Sequence, residues 1–536
     1  MIERLAAIWQ VIARWPRLFA LVLGLLGATA FPPLGLWPVG LLSLALLTIL
    51  LKDAARPRDA AVLGWLFGWS HLSLANNWIA TAFTYQADMP VALGAVAVPL
   101  LCVYLAIYPA IAAWAARALL EKRPAFGSIL AFGAVFGAFW IVTEWLRSWV
   151  FTGYPWPPLG LMLLGNWDSP GIARVLPWVG TYALSGMTIV LAAGLAALAV
   201  RKKWPALALA VAATAAVMLW PAGRGAEGDV RFTLVQPLLP QDELNDPSKF
   251  EEQFARIARL TLPSRDENRL VLWPESAVPD YLEDGYPQIY YSRMTAAGDP
   301  AFARSRIGSL VGENSLLLTG LVHLDIGEKA GVRRAVSARN AVSLLDGEGQ
   351  ILETYSKAHL VPYGEYLPMK WLLEPLGLTR LVAGSIEYLP GPGPRTLDVG
   401  EFGSAGIQVC YEIVFSGQVV DPAKRPDFIF NPSNDGWFGS WGSPQFVGQS
   451  RMRAIEEGLP VLRSTTTGIS AVIDAEGIVR SSIGRGLADR IEGRIPPPKS
   501  PTMFSRLGNA LPLAWAIVIL VACFVGSSVA TRRRDV

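Results

Sequence analysis

Eight apolar runs decide what this chain can become. They cover roughly residues 18–31, 34–51, 61–83, 91–116, 126–150, 180–200, 204–221 and 509–530. About 20 mostly apolar residues are needed to cross the hydrocarbon core of a bilayer as a helix. The whole chain, 536 residues with 52% apolar and only 17% charged side chains, is too oily for an ordinary water-soluble fold. The runs therefore predict a polytopic α-helical membrane bundle of about eight spans. The first run is short, and Ala28-Thr29-Ala30 resembles a signal-peptidase site, so a cleaved signal is the competing reading there. The tight turn FPPLG, which leads straight into the second run, favours a span.

Loop charges orient the bundle. Arg4, Arg14 and Arg17 precede the first run, and Lys52, Arg56 and Arg58 follow the second. Arg117, Lys122 and Arg123 follow the fourth, Arg201, Lys202 and Lys203 the sixth, and Arg532, Arg533 and Arg534 end the chain. The intervening loops FPPLGLW and TYQADMP have no basic residue. Basic residues favour the cytoplasmic side, so both termini are expected inside and the segment after the seventh run outside. No basic run is long enough to suggest nucleic acid.

That outer segment, residues 222–508, has a different texture. Its apolar runs are strand-sized: VRFTLVQ, RLVLWPE, LLLTGLVHL, NAVSLLD, SAGIQVCYE, DFIFNPS and PVLRSTTTGISAVID. Helical patterns such as PSKFEEQFARIARLTL and SPQFVGQSRMRAIEEG lie between them. Alternating strands and helices predict a layered α/β domain. The expected organisation is a membrane bundle over 1–221, an outer domain over 222–508, and a last span with a basic cytoplasmic tail over 509–536.

Three cysteines punctuate this layout. Cys102 and Cys523 fall inside apolar runs, where small packing residues are expected. Cys410 is alone in the outer domain and has no disulfide partner there. Two other stretches carry unusual polar residues: LVLWPESAVP with Glu275, and ETYSKAHLVPYGEYLP with Lys357 and Glu365. Glu275, Lys357 and Cys410 are separated by 82 and 53 residues, so only a fold could join them. Singly, each has a plain structural use: a turn cap, a solvated loop lysine, a core filler.

Together the three resemble the Glu-Lys-Cys triad of the nitrilase (carbon–nitrogen hydrolase) superfamily. With the apolar runs added, the chain resembles the apolipoprotein N-acyltransferase family over nearly its whole length. WPESAVP, SKAHLVPYGEYLP, CYEIVF, NPSNDGWFG, RMRAIEEGLPVLRSTTTGISAVID and, in the membrane part, TEWLRSWVFTGYPW (143–156) carry the likeness. It implies an αββα sandwich for the outer domain. It also implies a ping-pong N-acyl transfer, in which Cys410 takes an acyl chain from a phospholipid such as phosphatidylethanolamine, as a thioester. The acceptor is the α-amino group of a diacylglyceryl-modified lipoprotein N-terminal cysteine. Glu275 is implied as general base and Lys357 as oxyanion stabiliser, with Glu365, Tyr411, Glu412 and Trp437 supporting the site or its substrates. No metal or cofactor is implied, and the three histidines form no ligand set; a loop hydrogen bond is expected of His359. A monomer in the bacterial inner membrane, with the catalytic domain on the periplasmic side, completes the expectation.

Several details lie outside the triad. The apolar segment 366–384 is read either as a lid or acyl groove at the membrane interface or as ordinary core. The loop NDGWFGSWGS, with Trp437, Phe438 and Trp441, is either interfacial or a set of turns. Glu144 and Arg147, three apart, are expected to form an ion pair bracing the junction with the catalytic domain. After VQPLLPQ the family often carries an aromatic residue; here DELND places Asn245 near that point. A membrane-anchored nitrilase-type amidohydrolase, with water as acceptor, is the rival enzyme, and a transporter or scaffold the rival from another class. Few ionisable residues fall at mid-membrane, which disfavours a transport path.

Overall fold

The computed structural model describes residues 14–85, 92–223, 225–263, 267–329, 331–373, 375 and 386–532. The chain divides into two compact units. One comprises Met1–Ala80, Val91–Ala222 and Thr502–Val536; the other comprises Thr81–Pro90 and Gly223–Pro501.

The first unit is helical: α1 (Pro16–Ala28), α2 (Trp37–Lys52), α3 (Pro57–Ala75), α4 (Ala92–Leu105), α5 (Ile107–Lys122), α6 (Ile129–Arg147), α7 (Leu176–Val200), α8 (Trp204–Leu219) and a final helix Ala510–Arg532. Among the described residues, three stretches, Ala92–Lys122, Ile129–Arg147 and Gly171–Val200, are long and apolar enough to cross a membrane. Four shorter apolar helices accompany them: Pro16–Ala28, Trp37–Lys52, Trp204–Leu219 and Ala510–Gly526. Two expected runs are reshaped. The run 61–83 is not one helix: α3 stops at Ala75, where the Asn77 side-chain amide donates to the Leu74 carbonyl at 2.8 Å, and a 3-10 segment, Asn77–Tyr85, follows. The run 91–116 breaks between α4 and α5 at Ala106, where Pro109 lacks the N–H that would bond the Leu105 carbonyl. Small residues let helices close up: a Cβ on Gly137 of α6 would lie 2.7 Å from the Gly186 carbonyl of α7.

Glu144 and Arg147 form the expected pair at 3.5 Å, both buried. Its other partners are local. Glu144 Oε1 accepts from Trp140 Nε1 at 3.2 Å and from the Leu159 N–H at 2.9 Å, and Arg147 donates to the Pro157 carbonyl at 2.9 Å. These bonds tie the Pro157–Leu159 loop to α6 inside the membrane unit.

The second unit holds two six-stranded sheets, ordered β12-β1-β2-β3-β4-β5 and β11-β10-β9-β8-β7-β6. The strands are β1 (Arg231–Gln236), β2 (Leu270–Leu272), β3 (Leu316–Lys329), β4 (Val332–Leu345), β5 (Ile351–Ser356), β6 (Thr396–Asp398), β7 (Ser404–Ile407), β8 (Phe428–Ser433), β9 (Val461–Thr465), β10 (Ser470–Ile473), β11 (Val479–Ile483) and β12 (Asp489–Arg494). In each sheet three strands run parallel, β1-β2-β3 and β7-β8-β9, with antiparallel neighbours outside. The central strands are buried on both faces, which is why they read as unbroken apolar runs. Val235, Val271, Leu317 and Leu345 pack on Ile257 of α9 (Phe250–Thr261) and Ala303, Ile307 and Val311 of α10 (Pro300–Val311). The alternate residues Leu234, Leu270, Leu272, Leu318 and Leu344 are buried on the opposite face. The two sheets meet where Thr465 of β9 donates to Gln236 of β1 at 2.9 Å. On the second sheet, α11 (Gly439–Glu457) packs against β9 and β10.

The end of α11 buries acids. Glu456 pairs with Arg453 at 3.0 Å. Burial, reinforced by Glu456, pushes Glu457 up to about 8. Between about pH 4.5, where an unfolded glutamate releases its proton, and pH 8, the native state holds the extra proton. Stability therefore falls as pH rises through that window. Glu457→Gln is expected to flatten this fall and to raise the thermal midpoint at pH 8; an unchanged slope would refute it.

Candidate active site

Parallel strands deliver ligand-facing residues from their carboxyl ends, and this unit follows that rule. Glu275 follows β2, Cys410 follows β7 and Asn434 follows β8, while Lys357 follows β5, one of the antiparallel flanks. Cys410 opens a 3-10 turn, Cys410–Val414, with φ of +50°, a left-handed backbone that turns its side chain sharply off the strand. Gly320 of β3 makes room for Glu275: a Cβ there would lie 2.6 Å from the Glu275 Cα.

Lys357 is buried, and its Nζ lies 3.1 Å from Glu365 Oε1 and 3.6 Å from Glu275 Oε1. Asn340 of β4 donates its amide to both carboxylates, at 2.7 Å to Glu275 and 2.8 Å to Glu365. The second oxygen of Glu275 accepts the Asn434 N–H at 2.7 Å, and that of Glu365 accepts the Val361 N–H at 2.7 Å. Burial alone would lower the Lys357 pKa, but the Glu365 and Glu275 carboxylates outweigh it and hold the ammonium above its usual range. Burial pushes the Cys410 thiol up. Glu275 adds to the rise, while Lys357 and the Ser433 hydroxyl pull it down without prevailing. Surroundings that disfavour the thiolate leave the sulfur needing a base to take its proton before it acts as a nucleophile.

Glu412 ties the elbow to the lysine loop. Its Oε1 accepts from Tyr355 Oη at 2.8 Å, the Ala358 N–H at 2.6 Å and the His359 N–H at 3.1 Å; its Oε2 accepts the Val409 N–H at 2.7 Å. Burial pushes it up to about 7 against the pull of these donors. Tyr411 is buried edge-on to Phe415, with ring centroids 5.0 Å apart. His359 makes the expected loop hydrogen bond, to Gln418 at 2.9 Å, and stacks on Phe415. Trp437 is half-buried in the turn Asp435–Phe438. Phe438, in the loop read as either interfacial or a set of turns, is buried against Phe446 at 5.0 Å. Asn245 is exposed in the turn after β1. Of the apolar segment 366–384, residues 374 and 376–384, Leu376 included, lie outside the described residues; Trp371 is 78% exposed and Leu372 43%.

The comparisons with known proteins agree along the chain. Residues 23–195 match the apolipoprotein N-acyltransferase N-terminal domain family, and residues 197–489 the carbon–nitrogen hydrolase family. An apolipoprotein N-acyltransferase of Rhodopseudomonas palustris is 32% identical over 532 residues, covering 95% of this chain and 94% of its own. That of Bradyrhizobium diazoefficiens is 33% identical over 553 residues, covering 97% and 96%. The chain belongs to the apolipoprotein N-acyltransferase family. An amidase of Nesterenkonia sp. AN1 aligns with 55% of this chain and 96% of its own at 17% identity, with a TM-score of 0.34, too low to add to that assignment.

For this family member, sequence reasoning missed the polar frame behind the triad. Arg463 of β9 is fully buried, pairs with Asp435 at 2.5 Å, donates to the Asn431 side chain, and lies 4.0 Å over the Phe446 ring. Asn431 in turn donates to the Cys410 carbonyl at 3.3 Å and that of Gln408 at 2.5 Å. A signal existed: an arginine inside the apolar run PVLRSTT, and asparagines opening or ending NAVSLLD and DFIFNPS. A charge or amide in a buried strand needs a partner, and here the partners are the site.

Proposed function

We propose that this chain is a phospholipid-dependent N-acyltransferase that completes bacterial lipoproteins. Glu275 takes the Cys410 proton as the sulfur attacks the ester carbonyl of a phospholipid, phosphatidylethanolamine-like in headgroup. The Lys357 ammonium offsets the charge that develops on the carbonyl oxygen. The tetrahedral intermediate collapses, the lysophospholipid leaves with the proton, and a thioester remains on Cys410. The α-amine of a diacylglyceryl-cysteine lipoprotein then attacks the thioester, returns a proton through Glu275, and leaves as the amide. Glu365 and Asn340 hold Lys357 and Glu275 in register, while Glu412 positions the elbow.

The observation that carries this reading is the buried Lys357 held between Glu275 and Glu365 beside an elbow cysteine, in a chain that also has the family's N-terminal membrane region. Moving an acyl chain into water costs about 0.8 kcal/mol per CH₂, so a site for two lipidated substrates belongs at a membrane surface. The alternating basic loops support a periplasmic catalytic unit with both termini inside, in about eight spans. The exposed Trp371 and Leu372 support an interfacial lid.

Intact-protein mass spectrometry after incubation with phosphatidylethanolamine tests it. The expected result is a hydroxylamine-labile acyl adduct that a diacylglyceryl-cysteine peptide discharges to an N-acyl product. Discharge to water alone, indifferent to the peptide, would make the chain an amidohydrolase-like enzyme instead.

A further inference from the structure

The turn after β8 presents a hydrogen bond to Glu275, and the two ends of that turn are held differently. At its start, Asn434 gives its N–H to Glu275 at 2.7 Å and its side-chain amide to Gln241 at 2.6 Å, and accepts from Thr466 at 2.9 Å. Asp435 is fixed by Arg463 at 2.5 Å. At its far end the turn meets a distant piece of chain. The Trp437 ring packs edge-on against Tyr85, with centroids 5.7 Å apart and planes at 79°. Thr81 sits close by: a Cβ on Gly439 would lie 2.7 Å from its hydroxyl oxygen. Thr81 and Tyr85 belong by sequence to the apolar N-terminal half, yet they cluster with the catalytic unit.

We propose that Tyr85 is a positioning residue for acyl transfer, its ring holding Trp437 and so keeping the Asp435–Phe438 turn, and with it the Asn434 N–H, aimed at the Glu275 carboxylate. Between the two anchored ends lies Gly436, which has no side chain to restrain the turn. Hydrogen bonds weaken steeply as distance and angle drift, so a turn released at Trp437 loosens this backbone donor on Glu275. An edge-on contact requires a ring and no hydroxyl. Phenylalanine therefore substitutes for Tyr85, and alanine does not. The inference rests on the reading of Glu275 as the base in acyl transfer.

The test is the rate of Cys410 acylation in full-length protein, followed by quenched-flow mass spectrometry with phosphatidylethanolamine in mixed micelles. Wild type is compared with Tyr85→Phe, Tyr85→Ala, Trp437→Ala and the double alanine variant. Tyr85→Ala is expected to slow acylation at saturating lipid about 3–10-fold, with the half-saturating lipid concentration unchanged. Tyr85→Phe should stay within about twofold of wild type, and the double variant should be no slower than the slower single, because coupled residues lose one interaction only once. A raised half-saturating concentration with an unchanged maximal rate would mean that the ring touches lipid, and would overturn the positioning role. Losses that multiply in the double variant would overturn the coupling. Should Tyr85→Ala not fold, Tyr85→Leu, apolar but ringless, carries the same expectation. A wild type that forms no adduct overturns the acyl-transfer reading and this inference with it; an active wild type with an unimpaired Tyr85→Ala overturns this inference alone.

Discussion

Replacing Cys410 with alanine is expected to abolish the acyl adduct and to lower transfer to the lipoprotein acceptor on the order of 10⁴-fold or more, as loss of a covalent nucleophile does. The fold should survive. Alanine fits the same left-handed turn as the cysteine it replaces, and Ser433 keeps its hydrogen bond to Asp435 at 2.8 Å. Serine should be nearly as inactive, because its hydroxyl gives up a proton far less readily than a thiol at a site already hostile to the anion. Intact mass and a lipoprotein mobility assay read both variants. An adduct persisting on the Cys410→Ala protein would remove Cys410 from the mechanism.

Lys357→Met carries the second large effect, and it acts on two properties at once. The ammonium sits between Glu275 and Glu365, in a site that also holds Glu412. Removing it leaves buried carboxylates facing one another, which costs about 3–5 kcal/mol of stability. It also removes the charge proposed to stabilise the oxyanion, worth about 10²–10³ in rate. The two effects separate in Lys357→Met/Glu365→Gln, where one uncompensated charge is gone. Thermal midpoint should recover part of the loss, and acylation should not recover. Activity returning together with stability would show that Lys357 is needed only to hold the fold.

The parts of this molecule that were legible in sequence are those whose physics is local. Apolar runs are read by length and strands by their apolar runs. Glu275, Lys357 and Cys410 stood out because their residue types are chemically unusual among them. Misread features depended on neighbours far along the chain. Asn77 ends α3 early by capping the Leu74 carbonyl, a competition between side chain and backbone that an apolar count cannot register. Phe438 was open to an interfacial or a turn reading, and Phe446, two turns into the following helix, covers it. Asn340, Asn431 and Arg463 act through partners on or after other strands, and the pairing of those strands has no signature in any one run. The two sheets share one strand pattern, three parallel strands with antiparallel flanks, although no internal repeat is visible in the sequence.

The placement of Thr81 and Tyr85 in the second unit bears on how the protein is made. The ribosome releases this segment long before Arg231 of β1, so the first-made piece of the catalytic unit waits for the rest of its own sheets and helices to arrive. A fragment begun at Gly223, the obvious cutting point for a crystallographer or an enzyme engineer, would leave part of that unit behind with the discarded helices. Borders drawn by hydropathy and borders drawn by assembly are different lines on this chain.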